Sequence, residues 1–208
     1  MIYEYPWIQP FIPDNIEFGP MNNTTVVQSV LNAGVQTSET PGKRWACSLV
    51  LPATTTNDRA SVEGFFDRLN GQAHRLRLWH MGRFGLNGNG SPMGTINTAG
   101  VTVKTAAAQF ASSFTITGCG AARTLMGGDM LSVNGQLLMM PVTGASDALG
   151  DMLIPVSGLL RNALTVGMVV TLIKPTALFI LSQPDWRTTH KSGRYSPELA
   201  FDFQEVFT

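Results

Sequence analysis

Two glycines followed by an acid form the strongest candidate for a chemical site in this sequence. They lie in the stretch LMGGDMLSVNG, residues 125–135, where an apolar run follows Asp129 directly. Glycine lets the backbone approach a bound phosphate closely, and a carboxylate is a ligand that divalent metals accept. The pattern leaves two possibilities: a turn that handles a nucleotide or a metal, or the corner at which a strand begins.

The same three residues resemble the start of the GGD(E)EF signature of diguanylate cyclases, where a hairpin approaches a phosphate and acids bind a divalent metal. Met130 and Leu131 stand where that signature requires its second acid and its aromatic residue. We therefore expect a structural corner: a glycine with positive φ, Asp129 as a cap, and a hairpin turn over 133–136. On this interpretation Asp129→Ala costs about 1 kcal/mol of stability and no activity.

The three histidines, His74, His80 and His190, lack the spacing of a metal site. His74 and His80 lie on one face of a predicted strand, but their separation along an extended chain is roughly 20 Å. No G-x-S-x-G sequence marks a nucleophilic serine, and Glu63 and Asp67 are expected to be solvated on one helix face. The sequence predicts no catalytic, cofactor-binding or metal-binding residue, and we do not expect an enzyme.

Arg75, Arg77 and Arg83, together with Trp79, form a basic and aromatic cluster. Such a cluster can contact phosphates, but it can also be solvated or pair with acids of a neighbouring subunit. Because the net charge of the chain is zero, we favour the second interpretation. The glycine-rich segment 85–100 contains no G-x-x-x-x-G-K-[ST] sequence, so we do not expect it to hold a phosphate.

The composition indicates a protein that assembles with copies of itself. Of the 208 residues only 13% are charged, with 14 basic and 14 acidic side chains, whereas 44% are hydrophobic. Binding to nucleic acid or to an anionic membrane needs a surplus of Lys and Arg, and a free monomer usually carries more charge to stay dispersed. Low charge therefore suits a surface that self-association covers.

The cysteines and the start of the chain bear on where the protein folds. Cys47 and Cys119 lie far apart and in no C-x-x-C pair, so both are expected to be reduced thiols in apolar surroundings. The first residues lack the basic and apolar regions of a signal peptide, and no apolar run approaches the roughly 18 residues that span a bilayer. We expect a protein made in the cytosol that does not contact a membrane.

The first part of the chain predicts extended segments around one helix. Residues 1–20, with prolines among aromatics, predict an extended arm, TTVVQSV predicts a strand, and KRWACSLVLP predicts a strand that buries every second side chain. NDRASVEGFFDRLNG predicts a helix capped at Asn57 or Asp58 and closed at Asn70-Gly71, and AHRLRLWHM predicts another strand. The apolar stripe of the helix consists of Val62, Phe65, Phe66 and Leu69.

From Gly82 onward the chain changes to short Thr- and Val-rich segments separated by turns. GVTVKT, SSFTITG, GDMLSVNGQLLMMPV, DMLIPV and GMVVTLIKP predict five or more short strands, typical of a small barrel or sandwich. After Pro175, ALFILSQPDW and SPELAFDFQEVF return to the earlier alternating pattern. We therefore predict a mainly β fold with an outer domain, residues 1–81 and 177–208, and an inserted small β-barrel domain, residues 82–176.

The order of these segments resembles bacteriophage tail proteins, in particular the distal tail protein of long-tailed phages. The resemblance covers residues 40–208 and rests on PGKRWACSLVLP, FFDRLNGQAHRLRLW, the glycine-rich insertion, LMGGDMLSVNGQL, VGMVVTLIKP and SPELAFDFQEVF. It implies a tail-tube-like β-sandwich with one flanking α-helix. This domain forms a homo-oligomeric ring, usually a hexamer, around the tail channel, and a further β domain decorates its outside.

The resemblance also implies a function and partners. The protein is expected to be a structural virion protein that joins the tail tube to the tail tip or baseplate. Its partners are further copies of itself, the tail tube protein and a tip or baseplate hub protein, and DNA passes through the channel without specific binding. Ring contacts are expected from edge-strand pairing, with the proline-rich arm reaching a neighbouring copy, and no cofactor is expected.

Three alternatives stay open at the level of sequence. The chain can be another tail component, such as the tube, the terminator or the baseplate hub. It can be a carbohydrate-binding or cell-surface-binding module, but residues 82–176 contain no Trp or Tyr, and their aromatic residues are Phe84, Phe110 and Phe114. A hydrolase of the cell envelope needs paired carboxylates or a metal site, and the acids of this chain are scattered.

Overall fold

The structure, a computed structural model, describes residues 1–28, 33–39, 42–81, 90–187 and 195–207. This described chain is mainly β with one helix, which confirms the predicted fold class at that level. The chain divides into two compact units. Unit 1 comprises Met1–Gly19, Trp45–Gly82 and Thr176–Thr208, and unit 2 comprises Pro20–Arg44 and Arg83–Pro175.

Seventeen strands and one helix are assigned in chain order within the described ranges. They are β1 (Ile2–Glu4), β2 (Asn15–Met21), β3 (Thr24–Gln28), β4 (Val35–Glu39), β5 (Arg44–Leu51), β6 (Thr54–Thr55), α1 (Thr56–Asp67), β7 (Arg75–Trp79), β8 (Thr102–Val103), β9 (Ser113–Thr117), β10 (Thr124–Leu125), β11 (Met130–Val133), β12 (Gln136–Met139), β13 (Gly144–Ala145), β14 (Met152–Pro155), β15 (Thr176–Leu181), β16 (Tyr195–Ser196) and β17 (Leu199–Glu205).

Unit 1 is built on a six-stranded sheet in the order β1-β7-β15-β17-β5-β2. Every second side chain of β5 is buried, as its alternating sequence predicts, and β17 follows the same pattern. The register places Cys47 opposite Phe203 and Leu49 opposite Phe201, so the buried side chains of both strands share one face. This apolar face is the core of unit 1.

Helix α1 packs against that face through its apolar stripe. Phe66 is fully buried and stacks on Phe201 with 3.6 Å between ring centroids, and Val62 and Leu69 are buried as predicted. The predicted cap at Asn57 or Asp58 is wrong by two to three residues. Thr55 is the N-cap, because its hydroxyl accepts the Asp58 N–H at 3.3 Å, and Arg68 is the C-cap. Within the described ranges, no helix is long and apolar enough to cross a membrane.

The N-terminal segment is extended, but it belongs to the sheet of its own chain. β1 pairs in parallel with β7, and β2 lies beside β5, so the first 21 residues supply both edge strands. Between them Tyr5 and Phe11 are buried, and the Tyr5 hydroxyl donates to the carbonyl of Phe11 at 2.7 Å. Within its own chain this segment completes the core of unit 1. Its expected contact with a neighbouring copy stays a prediction.

Residues between β7 and β15 form an insertion. β7 and β15 are antiparallel neighbours in the sheet, with Trp79 opposite Thr176 and Leu78 opposite Ala177. The chain therefore leaves the sheet after one strand and returns in the adjacent position. Residues 80–175 thus lie between two neighbouring strands of one sheet.

The first boundary of unit 2 differs from the predicted domain boundary. Residues Pro20–Arg44, which the sequence assigned to the outer domain, group with unit 2. Their described part is mainly a hairpin in which β3 pairs with β4, and neither strand joins the six-stranded sheet. The strand that TTVVQSV predicts is present as β3, but its only strand partner in the described chain is β4.

Unit 2 contains several small sheets around one apolar core. Its described strands form the sheets β14-β9-β8, β10-β13, β11-β12 and β3-β4, linked in part by isolated bridges such as Ser132–Thr171. These strands are two to five residues long and do not close into a barrel, and GMVVTLIKP contributes bridges rather than a strand. The core residues with at most 1% exposure include Ile116, Leu125, Leu131, Leu160 and Leu164.

Phe66→Ala is expected to destabilise unit 1 by about 4 kcal/mol, because it leaves a cavity against Phe201 in a fully buried position. All four tryptophans of the chain lie in unit 1, so their fluorescence during urea unfolding reports this unit alone. The matched control is Phe65→Ala, at the adjacent and only half-buried position, with an expected loss of about half that size. Equal losses for the two variants would contradict the packing described here.

Candidate functional site

The Gly127-Gly128-Asp129 corner lies at the start of a hairpin, as predicted. Gly128 has φ of 94°, and its N–H donates to the carbonyl of Met140 at 2.8 Å. β11 and β12 follow as an antiparallel pair, joined by Asn134 and Gly135 with φ of 48° and 70°. Positive φ at both central residues is the geometry of a type I′ turn, which favours Asn-Gly.

Asp129 does more than cap the corner. Its side chain is buried, with 4% exposure, and its carboxylate accepts the N–H groups of Met126 at 2.8 Å, Met93 at 2.8 Å and Gly94 at 3.2 Å. Two of these donors belong to a segment 35 residues or more earlier in the chain. The carboxylate therefore fastens residues 93–94 to the hairpin, a contact that the sequence did not predict.

Gly94 is needed for this attachment. A Cβ at this position would lie 2.1 Å from the carbonyl oxygen of Thr124 and 2.9 Å from Cα of Leu125. No side chain fits at that distance, so the backbone of Gly94 passes directly against the strand that precedes the corner. The hydrogen bonds of Asp129 and the lack of space for a side chain at Gly94 both indicate close packing of these backbone segments.

The chemistry available to Asp129 is limited by its surroundings. Both carboxylate oxygens already accept backbone N–H groups, and the side chain is almost closed to solvent. In the described part of the chain, no group of three or more His, Cys, Asp or Glu side chains is placed to hold a metal ion. The geometry of this corner is that of a structural cap.

The histidines that the structure describes lie at opposite ends of β7. His74 precedes the strand, and its Nδ1 lies 3.1 Å from the amino group of Met1. His80 follows the strand and stacks on the ring of Phe18 with 4.7 Å between centroids. His190 lies outside the described residues. The two described histidines are thus engaged in different contacts and not in one site.

One arginine of the basic and aromatic cluster has an acid partner within the chain. Arg77 forms an ion pair with Glu4 of β1 at 2.9 Å, and Trp79 is buried with its ring 5.5 Å from that of Trp7. The sequence left this cluster either solvated or paired with acids of a neighbouring subunit, and within the chain the partner of Arg77 is on the adjacent strand. Arg83 lies outside the described residues.

Two buried charged side chains were missed by the sequence interpretation. Arg59 is 2% exposed, and its guanidinium donates to Glu63 at 3.0 Å and to the carbonyl of Pro197 at 2.7 Å. Glu63 was expected to be solvated, but it is paired with Arg59. Glu205 is fully buried and accepts the N–H of Trp45 at 3.0 Å.

A sequence signal for both residues did exist. Arg59 lies three residues before Val62 and continues the buried stripe of the helix, and Glu205 continues the alternation of Phe201 and Phe203. A charged residue in register with a buried apolar pattern must be paired or hydrogen-bonded. Both residues contact backbone or a neighbouring charge, which identifies structural rather than chemical roles.

The cysteines are buried and free, as predicted. Burial raises the pKa of Cys47 to about 12, with a further contribution from the charge of Asp202. Burial likewise raises the pKa of Cys119 to about 11, helped by Asp151 and Asp147. Both groups are therefore protonated thiols at neutral pH, which is the unreactive form.

The phenylalanines of the insertion do not form an aromatic platform for a sugar in the described residues. Phe114 is 3% exposed and belongs to the core of unit 2, whereas Phe110 is 52% exposed. Phe84 lies outside the described ranges, as does the part of the glycine-rich segment from 85 to 89. The exposed Phe110 alone does not favour the carbohydrate-binding alternative.

No protein-family model matches the chain, and no curated protein is significantly similar to it. The function is therefore inferred from the residues and their arrangement.

Asp129→Ala is expected to destabilise unit 2 by about 3 kcal/mol, more than the loss of one cap, because three backbone N–H groups lose a charged acceptor at a buried site. The loss is measured during urea unfolding as a shift of the far-UV circular dichroism transition that tryptophan fluorescence does not follow, since unit 2 contains no tryptophan. Asp147→Ala is the matched control. Its carboxylate also accepts two backbone N–H groups but is exposed, so the expected loss is about 1 kcal/mol. A loss for Asp129→Ala no larger than for Asp147→Ala would contradict this role.

The native protein is expected to show almost no reaction with a thiol reagent at pH 8, and two reacting thiols after unfolding in guanidinium, because both native pKa values are raised. The raised pKa also makes the unfolded state ionise first. Each thiol therefore contributes stability that is complete below its ordinary pKa of 9.0 and is lost as pH rises towards 11 and 12. Rapid labelling of a native thiol at pH 8 would contradict the burial.

Proposed function

We propose that the protein is a structural virion protein that forms a ring at the distal end of a phage tail and joins the tail tube to the tail tip or baseplate. The ring is built from copies of this chain, six in the simplest case, and surrounds the DNA channel. The tail tube protein and a tip or hub protein are its other partners. The protein acts through its shape and not as an enzyme.

One observation carries this proposal: a long insertion enters between two adjacent strands, β7 and β15, of a sheet that a single helix covers. The order of sheet strand, insertion and adjacent sheet strand fits a tail-tube-like ring domain that carries a separate decorating domain. In the proposed assembly unit 1 is the ring domain, and unit 2 contains the inserted domain.

The charge distribution supports passage of DNA without tight binding. The sheet face opposite α1 carries Asp202 on β17 and the basic side chains Arg44, Arg75 and Arg77, and Arg77 forms an ion pair with Glu4. A channel with a surplus of Lys and Arg would bind phosphates and retard the DNA. The chain as a whole has no such surplus, since its net charge is zero, and low net charge also lets many copies pack together.

The arrangement of acids and thiols fits a non-catalytic role. Asp129 and Glu205 are buried with backbone N–H groups as donors, and the two cysteines are buried thiols. These groups are buried and stabilise the two units, whereas the catalytic groups of an enzyme must be accessible to substrate and reactive. They therefore favour a structural protein over an envelope hydrolase.

The purified protein is expected to form closed rings, because each copy would contact two neighbours through different surfaces and a head-to-tail contact closes when its rotation allows. Native mass spectrometry measures the number of copies, and negative-stain images show a central hole. The expected mass is an integral multiple of the 22.4 kDa chain, six in the simplest case. A monomer that persists up to millimolar concentration would contradict the proposal.

A further inference from the structure

A bend of unit 2 over Ser157, Gly158 and Leu159 carries backbone donors that are not used within the described chain. The N–H groups of all three residues have no hydrogen-bond acceptor among the described residues. Ser157 and Leu159 are exposed, so the bend lies at the surface. Gly158 has φ of 90°, a left-handed conformation that favours glycine. Successive backbone N–H groups around a left-handed residue form a concave site that suits an anion.

A lysine from a distant part of unit 2 reaches the same bend. The Nζ atom of Lys43 donates to Oγ of Ser157 at 2.9 Å. The stem of Lys43 lies along Gly158, where a Cβ atom would be 3.5 Å from its Cδ. Within the described ranges Lys43 forms no ion pair. Two N–H groups of its ammonium therefore remain for a ligand, and the Ser157 hydroxyl, which accepts from Lys43, can donate its own hydrogen.

A buried glutamine holds the loop that carries the bend. Gln136 is 1% exposed, and its Oε1 accepts the N–H groups of Arg161 at 2.7 Å and Asn162 at 3.2 Å. Its Nε2 donates to the carbonyl of Asn162 at 3.1 Å. Arg161 in turn donates through Nη1 to the carbonyl of Lys43 at 3.1 Å. Lys43 and Ser157 are thus fixed relative to each other in advance, which lowers the entropy that a ligand must lose on binding.

The segments that meet beside the bend contain no acid. The N–H of Val156 donates to the carbonyl of Ser112 at 2.8 Å, which joins the bend to an earlier part of the insertion. Residues 105–128 and 152–175 include no Asp or Glu, whereas Arg161 adds a second positive charge to that of Lys43. The bend therefore combines unused donors with positive charge.

We propose that the bend is a binding site for a phosphate group. The N–H groups of 157–159, the Lys43 ammonium and the Ser157 hydroxyl donate to its oxygens. An ammonium is a compact charge that suits a tetrahedral oxyanion, whereas a planar carboxylate is matched best by a guanidinium fork. Every residue of the site belongs to unit 2 of one chain, so the inference is independent of the proposed ring.

Equilibrium dialysis of the full chain against radiolabelled inorganic phosphate, at constant ionic strength, tests the site in any oligomeric state. We expect saturable binding of one phosphate per chain. Dimethyl phosphate is the competitor. Displacement of the label shows that the site accepts a phosphodiester, and retention of the label limits the ligand to free phosphate or a monoester. If neither saturable binding of phosphate nor displacement is seen, the proposal is overturned.

Substitutions separate the site from general attraction of anions. Lys43→Gln and Ser157→Ala are each expected to weaken phosphate binding about tenfold, because each removes a donor to a charged group. Ser157→Thr keeps the hydroxyl and is expected to keep binding. The matched control is Lys174→Gln, which removes the same charge from another exposed position of unit 2.

The control is expected to bind phosphate as the wild type does. An equal loss in Lys174→Gln and Lys43→Gln would overturn the proposal, since the binding would then follow charge alone. Wild-type affinity in both Lys43→Gln and Ser157→Ala would overturn it as well. Far-UV circular dichroism checks that the variants are folded, and the carbonyl of Lys43 that accepts from Arg161 is kept in Lys43→Gln.

Discussion

The antiparallel pairing of β7 with β15 is the interaction on which unit 1 depends. It joins β1 and β7, from the first part of the chain, to β15, β17, β5 and β2, and it closes the sheet across the whole insertion. Without it, the apolar face that includes Leu76 and Phe179 would be divided, and α1 would have no continuous surface to cover. Such a long closure is entropically unfavourable, so the buried face must supply the compensating stabilisation.

Buried acids hold backbone segments in both units. In unit 1 Glu205, the last residue of β17, accepts the N–H of Trp45 near the start of β5. In unit 2 Asp129 accepts the N–H groups of Met93 and Gly94 and so holds them against a hairpin. A buried carboxylate is tolerated only where donors satisfy it, and leaving backbone donors unpaired would be costly. The same kind of contact explains why the Gly127-Gly128-Asp129 motif has a structural role.

The sequence predicted those elements whose signal lies within a short stretch of residues. The alternation in β5 and β17, the stripe with Val62 and Phe66, and the hairpin at Asn134-Gly135 each follow from a short periodicity or a turn preference. The presence of an insertion before β15 followed from a change in composition. These features need no knowledge of distant partners.

The features that the sequence did not predict depend on distant partners. β1 and β2 lie among prolines, which weaken a strand signal but are tolerated at sheet edges, and β1 needs β7 as its partner. The Asp129 contact with residues 93–94 joins segments that no local pattern connects. Closure of a barrel in unit 2 likewise depends on pairings between distant strands, and the short strands form separate small sheets instead.

The position of the protein in a virus particle tests the central proposal most directly. Gold-labelled antibodies against the chain, applied to virus particles recovered from cells that carry its gene, measure whether and where the protein lies on a particle. The account predicts label at the distal end of the tail, at the junction of tube and tip. Label on the capsid, or particles that lack the protein altogether, would contradict it.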